Sequence, residues 1–263
     1  MDLQIKSRIA LVTASSKGLG KAAAKSLAME GATVIICSRT KETIEQTASE
    51  IHQLTGAEII PIVADVSNKD DIKMLFEKIR DQFGTLHILV NNAGGPPTGD
   101  ILTMTEQEWT KGYELTLMSM IRLSREALPL MIKQKWGRII TITSFVGKQP
   151  INDLIISSTL RPGIHGLTKV LSNKYAKNNI TVNTICPGNI NTERQQELME
   201  QRSLKNKISL DEYKAEIVKE IPTGRLGNLE EVGDVIAFLA SEKASYINGV
   251  NLLVDGGIAK GIY

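Results

Sequence analysis

Aromatic residues make up only 4% of this 263-residue chain, and cysteine occurs twice, as Cys37 and Cys186. Two thiols far apart in sequence, with no ligand-type neighbours, exclude a disulfide framework and a cysteine zinc site. The three histidines, His52, His87 and His165, are equally scattered, so no metal is expected. Long hydrophobic runs are missing too: none approaches the roughly 18 residues a membrane helix needs. An excess of one charge is also absent, because 31 Lys and Arg stand against 29 Asp and Glu, a net +2. The basic residues are spread along the chain, so the clustered stripe that marks a nucleic-acid binder is lacking. The opening MDLQIKSRIALVTASSKG runs from a short apolar stretch into a glycine-rich turn instead of a cleavage site. It reads as a first strand, and a cytoplasmic location is expected.

What is present is a regular alternation. Short Ile- and Val-rich runs lie at 9–12, 33–37, 59–63, 87–90, 139–143, 181–185 and 250–254. Each is apolar on both faces, the pattern of strands covered from both sides. Segments of helical period separate them, at 20–30, 41–54, 69–83, 106–133 and 162–178. This βαβα order predicts a doubly wound α/β (Rossmann) fold: a seven-stranded parallel sheet with right-handed crossovers and helices on both faces. No repeat, low-complexity tract or linker divides the chain, so residues 1–263 are expected to form one dinucleotide-binding domain. Pro162 is compatible with the last of these helices only if that helix begins close by, near 157–159, where serine and threonine hydroxyls suit an N-cap. The segment 192–221 interrupts the rhythm. It is long, highly charged and inserted after a strand end, which suits either a solvated pair of surface helices or a substrate lid.

The turn Thr13-Ala14-Ser15-Ser16-Lys17-Gly18-Leu19-Gly20 follows the first strand and opens the first helix. Gly18 and Gly20 allow a tight turn and close approach to a pyrophosphate, which the helix N-terminus favours. An NAD site usually places a carboxylate at the end of the second strand for the ribose 2′-hydroxyl. Here the strand ends Cys37-Ser38-Arg39, without an acid. Arg39 is either an ordinary surface arginine or a bidentate ligand for a 2′-phosphate, with Lys17 as a second positive charge. The latter predicts NADP(H) as cofactor.

These residues and several others resemble the short-chain dehydrogenase/reductase family along nearly the whole chain. The first turn resembles the family's Thr-Gly-x3-Gly-x-Gly, with Ala14 in place of the first glycine. Asp65-Val66 resembles the pair at the adenine ring, Asn91-Asn92-Ala93-Gly94 the marker after the fourth strand, and Pro187-Gly188-Asn189-Ile190-Asn191-Thr192 the segment at the nicotinamide carboxamide. The tail, Arg225-x-Gly227 through Asn248-Gly249 to Asp255-Gly256-Gly257, looks like the 3-oxoacyl-[acyl-carrier-protein] reductase branch. The resemblance implies an oxidoreductase acting on a small carbonyl or alcohol. It implies cofactor contacts from Thr13, Ser15, Ser16, Lys17, Gly18, Leu19, Gly20, Ser38, Arg39, Asp65, Val66, Asn92, Ala93, Gly94, Arg161, Pro187, Gly188, Ile190 and Thr192. It also implies a homotetramer, built on the helices at 106–133 and 162–178 and on the final strand.

The family normally uses Asn, Ser, Tyr and Lys, with Tyr four residues before Lys. Ser144 fits the Ser position, but Ser157 stands at the Tyr position, Arg161 at the Lys position and Thr116 at the Asn position. A Ser-x3-Arg pair, with Gly94-Gly95-Pro96-Pro97 and Lys148-Gln149-Pro150 nearby, looks like a divergent branch of the family. Serine is far less acidic than a phenol of pKa about 10, so Ser157 cannot replace Tyr as a simple acid. Arg161 stays charged but offers five donors in fixed geometry, for ribose hydroxyls or for a carbonyl or carboxylate. At i and i+4, Ser157 and Arg161 share one helix face, and with Ser144 they are the candidate catalytic set. Lys148 is either a solvated loop cation or a proton shuttle. His165, one turn past Arg161, reads as a structural residue, and Tyr113 and Tyr175 are out of register to supply the phenol. Three functions remain open: an NADP(H)-dependent oxidoreductase, a non-catalytic or regulatory NADP(H)-binding protein, and a dehydratase or epimerase.

Overall fold

Strand pairing explains the architecture seen in the computed structural model, which describes residues 1–262. β1 (Ile9–Val12) pairs in parallel with β2 (Thr33–Ser38) on one side and β4 (Ile88–Asn91) on the other. β3 (Ile59–Val63), β5 (Gly137–Ile142), β6 (Ile180–Pro187) and β7 (Asn251–Val254) complete a seven-stranded sheet of order β3-β2-β1-β4-β5-β6-β7. Successive side chains point to opposite faces of a strand. Val12, Ile36, Val90 and Ile140 therefore enter one core. Helices α1 (Gly18–Met29), α2 (Lys41–Thr55) and α9 (Leu229–Leu239) cover it with Leu27, Ile44 and Ile236. Leu11, Ile35, Leu89 and Ile139 enter the opposite core. There α3 (Lys69–Phe83) contributes Phe76 and Ile79, and α5 (Ser119–Gln134) contributes Leu123 and Ala127. The doubly wound prediction holds, including the apolar character of both strand faces.

Strand order reverses between β1 and β4, so the crevice for a ligand opens outside their C-terminal ends. Every strand from β3 to β6 ends on that same edge, because all pairings are parallel.

Two helices differ from the sequence reading. The stretch 106–133 is not one α-helix: α4 (Glu106–Tyr113) passes through a π-turn at Glu114–Met118 before α5 begins. Periodicity cannot register such a local widening, because one inserted residue barely disturbs the apolar stripe. The helix expected at 162–178 is longer at its start. It is α6 (Ile155–Tyr175), with Pro162 inside it and no side-chain cap at Leu154. Packing overrides the capping signal here: Ile156 is fully buried and fills the space beside Gly112, where a Cβ would come within 2.6 Å of it.

The segment 192–221 folds as α7 (Glu193–Asn206) and α8 (Leu210–Glu220). No helix of the described residues is long and apolar enough to cross a membrane. Cys37 and Cys186 are both free and buried.

Candidate active site

The glycine turn is held from below. The Thr13 hydroxyl donates to the Asn92 carbonyl at 2.7 Å and accepts from the Asn92 N–H at 2.9 Å, tying the end of β1 to that of β4. The Ser15 hydroxyl donates to the Val12 carbonyl at 2.8 Å and accepts from the Cys37 N–H at 3.1 Å, tying β1 to β2. Thr13 and Ser15 are fully buried, so their hydroxyls shape the turn and their backbones are what remains for a ligand. Gly18 has φ +57° with open space around it, whereas a Cβ on Gly20 would lie 2.5 Å from the Ala14 carbonyl oxygen. Ala14 itself sits at φ 46°, a left-handed conformation that alanine adopts at a cost.

Along the sheet edge the other sequence-predicted residues follow in order. Ser38 and the exposed Arg39 stand at the end of β2. Arg39 makes no hydrogen bond or ion pair among the described residues, so its fork is open to an anion. Asp65 follows β3, its carboxylate accepting from the Ser67 N–H and hydroxyl at 2.9 and 2.8 Å, beside the buried Val66. Asn92, Ala93 and Gly94 follow β4. Pro187 ends β6, Gly188 bonds back to the Val254 carbonyl at 3.0 Å, Ile190 is buried, and Thr192 caps α7 by accepting from the Gln195 N–H at 3.0 Å. One edge thus carries a continuous track, from β3 to β6, of the residues predicted to hold a dinucleotide.

At the β5–α6 end stand the candidate catalytic residues, Ser144 just after β5 and Ser157 and Arg161 within α6. Arg161 Nε donates to Ser157 Oγ at 2.7 Å, so the i, i+4 pairing anticipated on one helix face is formed. The Ser144 hydroxyl oxygen accepts from the Val146 N–H at 3.2 Å. Neither serine hydroxyl donates within the described residues, and each therefore keeps an O–H for a ligand. The guanidinium of Arg161 lines a small cleft with Ala93, Gly94, Thr116 and Ile142. Among the described residues no carboxylate pairs with it; burial pushes its pKa down to about 10, which leaves it charged at neutral pH. An unpaired cation held out of water is costly unless a ligand completes its surroundings.

Thr116 lies in the π-turn, buried, with its hydroxyl unpartnered in the same cleft. Such turns are frequent at functional sites, and this one was invisible to the sequence pattern. His165 is placed where expected, towards the packing surface. Its Nε2 lies 3.3 Å from Thr143 Oγ1 and 3.5 Å from Cys186 Sγ. Burial pushes its pKa down to about 4, with Lys148 and Arg161 adding to the effect, so the ring is neutral at pH 7. Tyr175 packs into the core beneath the sheet and Tyr113 is exposed on α4, so neither takes the missing phenol's place at Ser157.

Sequence reasoning missed the neighbours of the inserted segment. Lys17 Nζ meets Glu193 Oε2 at 2.5 Å, and Arg202 Nε lies 3.7 Å from Asp153 Oδ2, two residues before α6. No spacing rule joins residues so far apart in the chain; only the sheet order brings them together. These contacts tie α7 to the glycine turn at its start and to the segment before α6 further along.

A parallel doubly wound sheet, a glycine turn at the switch point and a track of polar groups along the strand ends define a dinucleotide-binding protein. The chain belongs to the short-chain dehydrogenase/reductase family: the family model described as Enoyl-(Acyl carrier protein) reductase matches residues 13–259. The chain is 36% identical to the 3-oxoacyl-[acyl-carrier-protein] reductase of Escherichia coli K12 over 256 residues, covering 97% of this chain and 99% of that one. It is also 36% identical, over 100% of both chains, to the uncharacterized oxidoreductase YvrD of Bacillus subtilis 168. Among solved structures, L-sorbose reductase from Gluconobacter frateurii, complexed with NADPH and L-sorbose, superposes with TM-score 0.95 at 30% identity, over 100% of both chains.

Proposed function

We propose that the protein is an NADP(H)-dependent oxidoreductase, similar to 3-oxoacyl reductases, in which Ser144, Ser157 and Arg161 act on a small carbonyl or alcohol substrate. The observation that carries the reading is the Ser157–Arg161 pair, bonded at 2.7 Å at the cleft beside Gly94. The fit to a dinucleotide rests on the Gly20 position, where any Cβ would strike the turn, and on the unpaired Arg39. Arg39 takes the 2′-phosphate, the glycine turn and the α1 N-terminus face the pyrophosphate, and Asn92 to Gly94 with Pro187 to Thr192 flank the nicotinamide end. When bound, the cofactor supplies or accepts the hydride.

The protein's own part is electrostatic. Arg161 spends Nε on Ser157 and keeps its terminal nitrogens for the ribose hydroxyls and the substrate oxygen. The Ser157 and Ser144 hydroxyls donate to that oxygen and orient it. A fixed cation with two donors stabilises the developing oxyanion, a role worth about 10²–10³ in rate per lost donor, and the proton that completes the alcohol is drawn from solvent, or returned to it in the oxidising direction. Residues 192–221 form the lid over the nicotinamide end, within a single domain.

Following NADPH oxidation against aldehydes, ketones and oxoacyl thioesters tests the reading, with turnover of at least one class expected. A second reading is favoured by one fact: burial holds Arg161, which lines the cleft, near 10 and His165 behind it near 4, both far from pH 7. NADPH binding without oxidation of any panel member would select that reading, a non-catalytic NADP(H)-binding protein.

The assembly is a homotetramer of 222 symmetry. β7 is an edge strand, Tyr246 before it is fully exposed, and Val170 on α6 is 62% exposed. Exposed edges and apolar surfaces of this kind are ordinarily covered by partners. Light scattering at micromolar protein is expected to give about four times the 28.8 kDa chain mass; a monomer mass would overturn the assignment.

A further inference from the structure

The ion pair between Lys17 and Glu193 spans the crevice. Lys17 precedes α1 in the turn after β1, and Glu193 is the first residue of α7, after β6. β4 and β5 lie between β1 and β6 in the sheet. At about 4.8 Å between neighbouring strands, β1 and β6 stand about 14 Å apart in the sheet. The segments that follow them carry side chains that meet at 2.5 Å, although β4 and β5, which lead into Asn92 to Gly94 and Ser144, lie between the two strands. Both side chains are about two-thirds exposed, at 63% and 64%, so the bridge is a roof over the groove and not part of a core. The bond to Glu193 raises the Lys17 pKa, so the lysine is charged across the physiological range. A lone carboxylate at Glu193 would repel a diphosphate in the groove, and Lys17 cancels that charge.

We infer that Lys17 and Glu193 form a clasp that closes over the bound dinucleotide and sets the rate at which it leaves. The inference rests on the dinucleotide-binding reading of the crevice. Among the described residues no other ion pair joins the glycine turn to the first turn of α7, so opening this one frees that end of the groove while Arg202–Asp153 still anchors the helix further along. Glu193 is then a positioning residue for the cofactor, acting through Lys17. An exposed pair opens readily, so its effect is on exchange more than on affinity.

Stopped-flow displacement of NADPH tests this in the full-length protein, comparing the parent with Glu193→Gln, Lys17→Met and the exchanged pair Lys17→Glu/Glu193→Lys. Glu193→Gln is expected to release NADPH about threefold faster, with a smaller response to added salt than the parent. The exchanged pair is expected to return release towards the parent rate. A role for Lys17 on the 2′-phosphate alone gives the opposite sign: freeing the lysine from Glu193 would then slow release. Unchanged or slower release in Glu193→Gln, with NADPH still bound, overturns the clasp alone. Absence of NADPH binding by the parent in direct titration overturns the clasp together with the reading beneath it.

Discussion

Arg161→Ala is expected to abolish carbonyl-dependent NADPH oxidation and to weaken NADPH binding by about 10- to 100-fold. The binding loss follows from removing charge-assisted hydrogen bonds of roughly 1.5–3 kcal/mol in a site withdrawn from water. The turnover loss is larger, because the same guanidinium holds Ser157 at 2.7 Å and, in the proposed mechanism, is the charge that faces the substrate oxygen. Removing it takes away both the electrostatic stabilisation and the orientation of a buried hydroxyl. Titration of NADPH and single-turnover kinetics separate the two effects. An Arg161→Ala variant that binds and turns over like the parent would remove Arg161 from the site.

The companion variant Ser157→Tyr with Arg161→Lys gives the site the pair usual in the family. Its assay decides between the two functional readings. Activity that appears only in this double variant would mean that the parent lacks a proton donor and serves as a nucleotide-binding protein. Activity in the parent that the double variant loses would mean that the Ser157–Arg161 pair carries its own mechanism. The second outcome is expected, because neither serine hydroxyl donates among the described residues and Arg161, with its terminal nitrogens unspent there, lines the cleft beside Gly94.

Arg39→Asp is expected to narrow or reverse the preference for NADPH over NADH. Arg39 is exposed at the end of β2 and unpaired among the described residues. Replacing a bidentate phosphate ligand with an acid removes charge-assisted hydrogen bonds and adds repulsion against a 2′-phosphate, about 100-fold in relative affinity. The introduced carboxylate also suits the free 2′-hydroxyl of NADH. Lys17→Met is expected to shift the preference far less, since the Lys17 ammonium is turned to Glu193 and away from β2. Equal affinities of the parent for NADPH and NADH, measured by titration, would defeat the assignment of Arg39.

Much of the site was legible in the sequence because doubly wound folds place function at strand ends. Once apolar runs fix the strands, the residues just after them fall on one edge, whatever the helices do. That is why Gly18, Gly20 and Arg39 could be named from order and chemistry, while Asn92 to Gly94, Ser144 and Pro187 to Thr192, named on the family resemblance, fall on the same edge. The i, i+4 relation of Ser157 and Arg161 was legible for a similar reason, since helix geometry is local.

Other features depend on neighbours distant in the chain, and these only the tertiary structure decided. The start of α6 was set by burial of Ile156 against Gly112, which outweighed the serine and threonine caps. The π-turn that carries Thr116 into the cleft leaves no trace in hydrophobic period. His165 became a neutral ring because Thr143, Cys186 and the charges of Lys148 and Arg161 surround it. Lys17 and Glu193 meet across 176 residues because parallel pairing sets the ends of β1 and β6 on one edge of the sheet, close enough for the segments after them to touch. Sequence alone therefore determined the sheet, its ligand-binding edge and the chemical groups along it, since these follow from local pattern and chain order. Tertiary structure alone decided which of those groups are already spent on the scaffold and which remain for a ligand, because that depends on distances between elements far apart in the chain.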